Sequence, residues 1–325
     1  MTLVLTHSEI TGLIDRGEVR KAVEKAHADL AAGRFQNPAP RALTLPDGGA
    51  AIPMIATGDG AVTVKLLCDL PANRARGLPT QRSTIAMTSA ITGECLAILD
   101  GRAVTAVRTA AASAVATDHL ARGSASVLGL VGAGNLAIEH ARAIAQVRDI
   151  SRIVVWSRRA ATVDAFRVAV EDLSIPVESV PDAAAVVGAA DIVCTLTPAR
   201  EPVVRGSWLR AGQHVNAVGA PPRPDHREVD SHGMARARIV VDSFPTVMAK
   251  SGGVLLAIAE GAITEDDART ELGQVILGSA DGRTGDDDVT LFESVGVGLQ
   301  DLATAALVLA RATEHGVGTV IDFGA

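Results

Sequence analysis

Residues 126–145, SVLGLVGAGNLAIEHARAIA, constrain the fold more than any other stretch, because an apolar run stops at a glycine turn and restarts with its apolar residues at helical spacing. The pattern predicts a strand, a tight turn and a helix. Inside it, Gly132-Ala133-Gly134-Asn135-Leu136-Ala137 fits a dinucleotide-binding fingerprint. Gly132 permits the turn, Gly134 lets backbone approach a pyrophosphate, and Ala137 is small enough for the helix to lie against the strand. The free N–H groups and positive dipole end of that helix then face the phosphates.

A chain of 325 residues exceeds what one core usually accommodates, which predicts two domains. The net charge of −7, without any block of Lys or Arg, and an aromatic content of 2% argue against a nucleic-acid partner or an anionic membrane. Cys68, Cys95 and Cys194 lie far apart in apolar surroundings and read as buried thiols, not as a disulfide framework. The N-terminal stretch MTLVLTHSEITGLID lacks a signal-type apolar core and no apolar run reaches transmembrane length, so a cytoplasmic protein is expected.

In chain order, Ser8 to Ala32 is expected as an amphipathic helical region carrying Ile10, Leu13, Ile14, Val19, Val23 and Leu30. Leu43 to Leu45, Ala51 to Ile55, Val62 to Leu67, Thr84 to Thr88 and Leu96 to Leu99 suggest a small antiparallel sheet. Val104 to Thr117, almost wholly Ala, Val, Thr and Ser, predicts a helix that another backbone can approach closely. After the fingerprint, strands at Ile153 to Trp156, Val177 to Val180, Ile192 to Leu196, His214 to Val218 and Ile239 to Val241 alternate with helices at Ala161 to Leu173 and Asp182 to Ala189. That alternation predicts a parallel, doubly wound sheet. Pro245 to Gly278 reads as mostly helical, Leu291 to Gly296 as a loop, and Leu299 to His315 as the last helix. Asp286-Asp287-Asp288 reads as a solvated loop; with no His or second acidic cluster beside it, no metal site is expected.

Three basic residues stand out physically. Lys65 sits in Val62-Thr63-Val64-Lys65-Leu66-Leu67, where a lysine must snorkel, pair or function, so an edge-strand lysine and a site lysine are both open. Arg108 is the only charge between Val104 and Thr117 and needs an anionic partner, which a structural acid or a ligand could supply. Arg41, after Asn37-Pro38-Ala39-Pro40, has the surroundings of a solvated loop residue.

The fingerprint, preceded by DGRAVTAVRTAAASAVAT and followed by HVNAVGA and LFESVG, resembles the ornithine cyclodeaminase and mu-crystallin family, closest in motif to its ketimine reductase and alanine dehydrogenase-like members. The resemblance covers nearly the whole chain, through Pro71-Ala72-Asn73 and Gly77-Leu78-Pro79-Thr80 to the last helix. It implies a homodimer and an α/β fold in which a Rossmann domain, residues 119–303, is inserted into a smaller α+β substrate-binding and dimerisation domain, residues 1–118 plus 304–325. It also places the substrate-carboxylate arginines at Arg41 and Arg108 and the active-site lysine at Lys65, with Lys65 and Arg108 as the catalytic pair. Thr80, Arg108 and Thr109, with Gly132, Gly134, Asn135 and Leu136 at the pyrophosphate turn, would touch the cofactor. Thr197, Val218, Gly219 and Ser294 or Val295 would line the nicotinamide side.

Two departures from the family pattern matter. Where cyclodeaminases and alanine dehydrogenases carry an Asp two positions after the strand-end glycine, this chain has Gly219-Ala220-Pro221, with Asp225 in the following loop as a replacement or a plain turn former. At the end of the second strand, where an acid normally grips the ribose 2′-hydroxyl of NAD, it has Trp156-Ser157-Arg158-Arg159. A hydroxyl and two guanidiniums suit a 2′-phosphate, so NADP(H) is expected over NAD(H). The resulting expectation is a reductase of a small 2-imino acid or cyclic ketimine carboxylate. The alternatives are an ornithine cyclodeaminase and a small-ligand-binding protein without turnover.

Overall fold

The computed structural model describes residues 1–324. In chain order the elements are β1 (Thr2–Leu5), α1 (His7–Leu13), α2 (Arg16–Ala31), β2 (Leu43–Thr44), β3 (Ala50–Gly58), β4 (Ala61–Asp69), β5 (Gln81–Ser89), β6 (Cys95–Asp100), α3 (Gly101–Leu120), β7 (Val127–Val131), α4 (Asn135–Ile144), β8 (Arg152–Trp156), α5 (Ala160–Ala169), β9 (Val177–Ser179), α6 (Ala183–Ala189), β10 (Ile192–Thr195), β11 (His214–Ala217), α7 (Ser231–Arg236), β12 (Arg238–Val241), α8 (Phe244–Lys250), α9 (Gly252–Ala259), α10 (Leu272–Ile276), β13 (Thr290–Glu293), α11 (Gly298–His315) and β14 (Thr319–Ile321). They form two compact units, residues 109–296 and residues 1–108 joined by the chain from 297 onward. The sequence-based boundaries at 118/119 and 303/304 lie further along the chain at both junctions, and residue 325 is outside the described part. Two packing facts account for the difference. Ala110 and Ala114 of α3 belong to a core of the parallel-sheet unit, and Val297, Leu299 and Leu302 belong to the core of the other.

The unit of residues 109–296 is a seven-stranded sheet in the order β12-β13-β11-β10-β7-β8-β9, parallel throughout. Its strands read as continuous apolar runs because both faces are covered. Leu128, Leu130, Ile153, Val155 and Ile192 pack with Ala137, Ala141, Val163 and Phe166 on one side. Val154, Val193, Val215 and Leu291 pack with Val186, Val187 and Met234 on the other. The strand order reverses between β7 and β10, and in open sheets of this kind ligands bind beyond the carboxyl ends at such a point. One expectation is corrected here: Leu291 to Glu293, read as loop, belong to β13, which is paired on both sides, by β11 and β12. Four residues ending in a charged one carry too little period-2 signal to announce a buried strand.

The other unit is built on a mixed sheet, β14-β1-β6-β5-β4-β3-β2, in which only β1 and β6 pair in parallel. Strand β4 alternates strictly. Thr63, Lys65, Leu67 and Asp69 are buried, whereas Val64 and Leu66 are 38% and 46% exposed. Across the pair Ile55, opposite Val64, is 40% exposed, so the open face is apolar. The helical region expected over 8–32 consists of two helices, α1 and α2. Asp15 caps the second by accepting from Glu18 N at 2.9 Å, and a good N-cap in the middle of an apolar periodicity ends one helix and starts another. Cys194 is buried as expected, but Cys68 and Cys95 are half-buried. Among the described residues no helix is long and apolar enough to cross a membrane, and no cluster of His, Cys, Asp or Glu could hold a metal ion.

Candidate functional site

The turn after β7 has the shape a dinucleotide requires. Gly132 adopts φ +114°, donates its N–H to Trp156 O at 2.9 Å, and leaves only 2.8 Å between the place of a Cβ and Leu196 O, so glycine alone fits. Gly134 is the N-cap of α4, and a Cβ built there meets nothing within 4 Å. The N–H groups of Asn135 and Leu136 therefore start the helix at an open concavity with no side chain capping it, which is the arrangement that accepts a pyrophosphate. His140 secures this turn: its Nδ1 meets Leu136 O at 2.7 Å and its Nε2 meets Ser113 Oγ at 2.9 Å. Burial pushes its pKa down to about 4, so it stays neutral.

At the end of β8, Ser157 is half-buried and Arg158 and Arg159 are exposed, with no ion pair to either guanidinium among the described residues. The sequence contains no acid at this strand end. Two cations are thus presented at the carboxyl end of β8.

The ends of β10 and β11 are tied together by Glu228, a residue the sequence reading did not select. Its carboxylate accepts from Thr195 Oγ1 at 2.8 Å, Thr197 N at 2.6 Å, Thr197 Oγ1 at 2.7 Å, Gly219 N at 2.6 Å and Ala220 N at 3.2 Å. The expected nicotinamide-side residues Thr197 and Gly219 are thus held directly, and Val218 is buried beside them. Ser294 is also buried and donates to Asp242 Oδ2 at 2.9 Å, together with the N–H groups of Val295 and Gly296. Asp225, by contrast, lies exposed on the loop, with Oδ1 2.9 Å from His226 Nδ1 and Oδ2 3.1 Å from Arg200 Nη2.

In the other unit, Lys65 is fully buried, and because β4 lies between β3 and β5 it is not an edge-strand lysine. Its Nζ lies 2.8 Å from Asp301 Oδ2 and 3.0 Å from Oδ1. Arg108 Nε reaches the same Oδ1 at 3.2 Å, and its Nη1 donates to Gln300 Oε1 at 2.8 Å. Gln300 Nε2 in turn faces His27 Nε2 at 3.1 Å. Since Gln300 Nε2 is a donor, His27 accepts there and carries its proton on Nδ1, and burial lowers its pKa to about 4. Asp301 stands in the first turn of α11, where the helix dipole favours an anion. Its signal in the sequence was the same as that of Arg108: it is the only charge between Glu293 and Arg311. The structure brings Lys65 and Arg108 onto one carboxylate but does not bring Arg41 to them; Arg41 is exposed on the loop before β2. Thr80 is half-buried, its carbonyl accepting from Leu70 N at 2.7 Å, and Thr109 is buried in α3.

Known proteins resemble this chain over nearly its whole length. The sequence profile of the ornithine cyclodeaminase/mu-crystallin family matches residues 1–316. An alanine dehydrogenase of Archaeoglobus fulgidus is 35% identical over 323 residues, covering 99% of this chain and 98% of its own. The structure of Thermococcus litoralis Delta(1)-pyrroline-2-carboxylate reductase with NADH and L-proline superposes with a TM-score of 0.95 at 35% identity, over 98% of this chain and 100% of that one. An archaeal alanine dehydrogenase dimer with bound NAD gives 0.94 at 34% identity, over 99% of both chains. The chain belongs to the ornithine cyclodeaminase/mu-crystallin family.

Proposed function

We propose that this protein, an oxidoreductase acting on CH–NH groups, reduces the C=N bond of a small 2-imino acid or cyclic ketimine carboxylate, with NADPH preferred over NADH. The observation that carries the reading is the buried trio of Lys65, Arg108 and Asp301. One carboxylate is shared by two cations, so the three ionised groups sum to one positive charge, and that sum matches a monocarboxylate. In this reading Arg108 and Lys65 hold the substrate carboxylate, Lys65 Nζ exchanges a proton with the imine nitrogen, and Asp301 keeps both cations in place.

The concavity at Gly132 and Gly134 fits a dinucleotide. Asn135 and Leu136 take its pyrophosphate, Ser157, Arg158 and Arg159 the ribose phosphate, and Thr197, Val218, Gly219 and Ser294 the nicotinamide side, with Thr80, Arg108 and Thr109 as further cofactor contacts. When bound, the reduced nicotinamide supplies the electron pair for the C=N carbon. The apolar open face of the sheet at Ile55, Val64 and Leu66 is the dimerisation surface, and the unit carrying it is the substrate-binding and dimerisation domain.

The test is a spectrophotometric screen of cyclic and acyclic 2-imino acids against NADPH and NADH. It is run with the wild type and with Arg108→Ala, and thermal stability is measured alongside. A wild type that turns over one of these imines, together with a folded Arg108→Ala that has a raised KM and lowered kcat/KM, supports the reading. A folded variant with unchanged reductase kinetics removes Arg108 from the site.

A further inference from the structure

We propose that His27 is a positioning residue, one that fixes the Arg108 guanidinium for a substrate carboxylate by way of the Gln300 side-chain amide; the inference rests on the imine-reductase reading above. All three side chains belong to the unit of residues 1–108 and 297 onward. His27 lies on the buried stripe of α2 with Val19, Val23 and Ala26, a position where packing alone would take another apolar residue. It is 1% exposed, and its Nδ1 has no hydrogen-bond partner among the described residues. Asp29, the nearest acid along the helix, is already shared by Lys25 and Arg34 at 2.6 and 2.5 Å. An unpartnered N–H in a core lowers stability, so the imidazole is not kept for packing. Its function lies in the hydrogen bond it does make, Nε2 to Gln300 Nε2 at 3.1 Å.

That bond decides which way the amide faces. A side-chain amide has a donor end and an acceptor end, and turning it over exchanges them. With its proton on Nδ1, His27 offers only an acceptor at Nε2, so it takes the amide N–H and leaves Gln300 Oε1 to Arg108 Nη1 at 2.8 Å. The reversed amide would set donor against donor at Arg108. Burial first and the Arg108 charge second lower the His27 pKa to about 4, so the accepting form is present throughout the neutral range. Arg108 is thereby held at two points, Nε on Asp301 Oδ1 at 3.2 Å and Nη1 on Gln300. Two points fix the plane of a rigid fork, and Nη2, which makes no hydrogen bond among the described residues, is left with the second Nη1 hydrogen for a bidentate carboxylate. Without the His27 acceptor the amide is free to turn, the guanidinium loses one of its two fixed points, and the loss falls on carboxylate binding.

His27→Phe keeps a ring and removes the acceptor, whereas His27→Gln restores an acceptor through its own amide oxygen. Two readouts are taken: kinetics on Δ1-pyrroline-2-carboxylate with NADPH, and calorimetric binding of pyrrole-2-carboxylate, a planar carboxylate without a reducible C=N bond. His27→Phe is expected to raise KM for the first and Kd for the second roughly tenfold with kcat changed by less than about threefold, and His27→Gln to recover most of that loss. Gln300→Met, which removes both ends of the amide at similar length, is expected to weaken binding as much, and His27→Phe to add little on top of it, since the histidine acts through the amide. In 15N NMR spectra the wild-type His27 is expected to carry its proton on Nδ1. A folded His27→Phe or Gln300→Met with wild-type carboxylate binding, a His27→Phe loss that persists in full beside Gln300→Met, or a wild-type His27 protonated on Nε2 overturns the proposal. A wild type that reduces no imine, but whose pyrrole-2-carboxylate binding follows this pattern, sinks the reductase reading and leaves the positioning of Arg108 standing.

Discussion

Lys65 and Arg108 were legible in the sequence because a charge inside an apolar run has few ways to be tolerated, and the structure shows how they are tolerated here, on Asp301. Asp301 gives the same signal, but an acid in the first turn of a helix also has an ordinary explanation in the helix dipole. Glu228 and Glu293 gave none, since each lies in a segment whose periodicity is too short to show that it is buried. The arginines at the end of β8 carry the most direct residue-scale prediction. Arg158→Ala with Arg159→Ala removes two charge-assisted contacts to a 2′-phosphate, each of about 1.5–3 kcal/mol. KM for NADPH should rise at least tenfold while KM for NADH changes little. Equal use of both cofactors by the unmodified protein contradicts the phosphate assignment.

Among the elements, those with a long period were read correctly in kind, and those defined by a cap or by four residues were not. The fingerprint strand and helix, the alternating β3 to β6 and α11 all stand within a few residues of expectation, because periodicity extends over the whole element. The break at Asp15 depends on one side chain, and β13 depends on neighbours that pair with it only in three dimensions. The loops after β10 and β11 are likewise fixed from a distance, by Glu228. Glu228→Ala would strand the donors of Thr195, Thr197, Gly219 and Ala220 and should cost more than ~3 kcal/mol of stability. Glu228→Gln, which sets an amide donor against backbone N–H groups, should fold and yet weaken cofactor binding in a fluorescence titration. Wild-type cofactor affinity in Glu228→Gln would show that these loops do not need the carboxylate.

For the whole molecule, three fully buried histidines set the acid limit. His27, His140 and His214 have pKa values of about 4, 4 and 3, each lowered mainly by burial from an ordinary value near 6.5. Between pH 6.5 and those values the unfolded chain binds protons that the fold refuses, so each histidine removes up to ~1.4 kcal/mol of stability per pH unit as pH falls. Glu293, raised to about 7, acts in the opposite sense between pH 4.5 and 7, its contribution fading as pH rises. Glu228 and Glu271, also raised by burial, act in the same sense as Glu293, so the histidine share is read by difference. Tm of the wild type should fall more steeply, or rise less, between pH 6.5 and 4.5 than that of His140→Gln, and equal slopes are inconsistent with a neutral buried imidazole. The apolar sheet face predicts that Val64→Glu with Leu66→Glu yields a monomer by sedimentation, whereas a dimer that survives both charges places the interface elsewhere.

The central claim, that the buried cations select an imino acid by its carboxylate, is tested most directly by comparing NADPH-dependent reduction of Δ1-pyrroline-2-carboxylate with that of Δ1-pyrroline, which lacks only that group. The account predicts turnover of the carboxylate with kcat/KM at least a hundredfold above the unsubstituted ring, in line with about 3 kcal/mol for a lost charge-assisted contact. Equal kcat/KM on the two imines would contradict it.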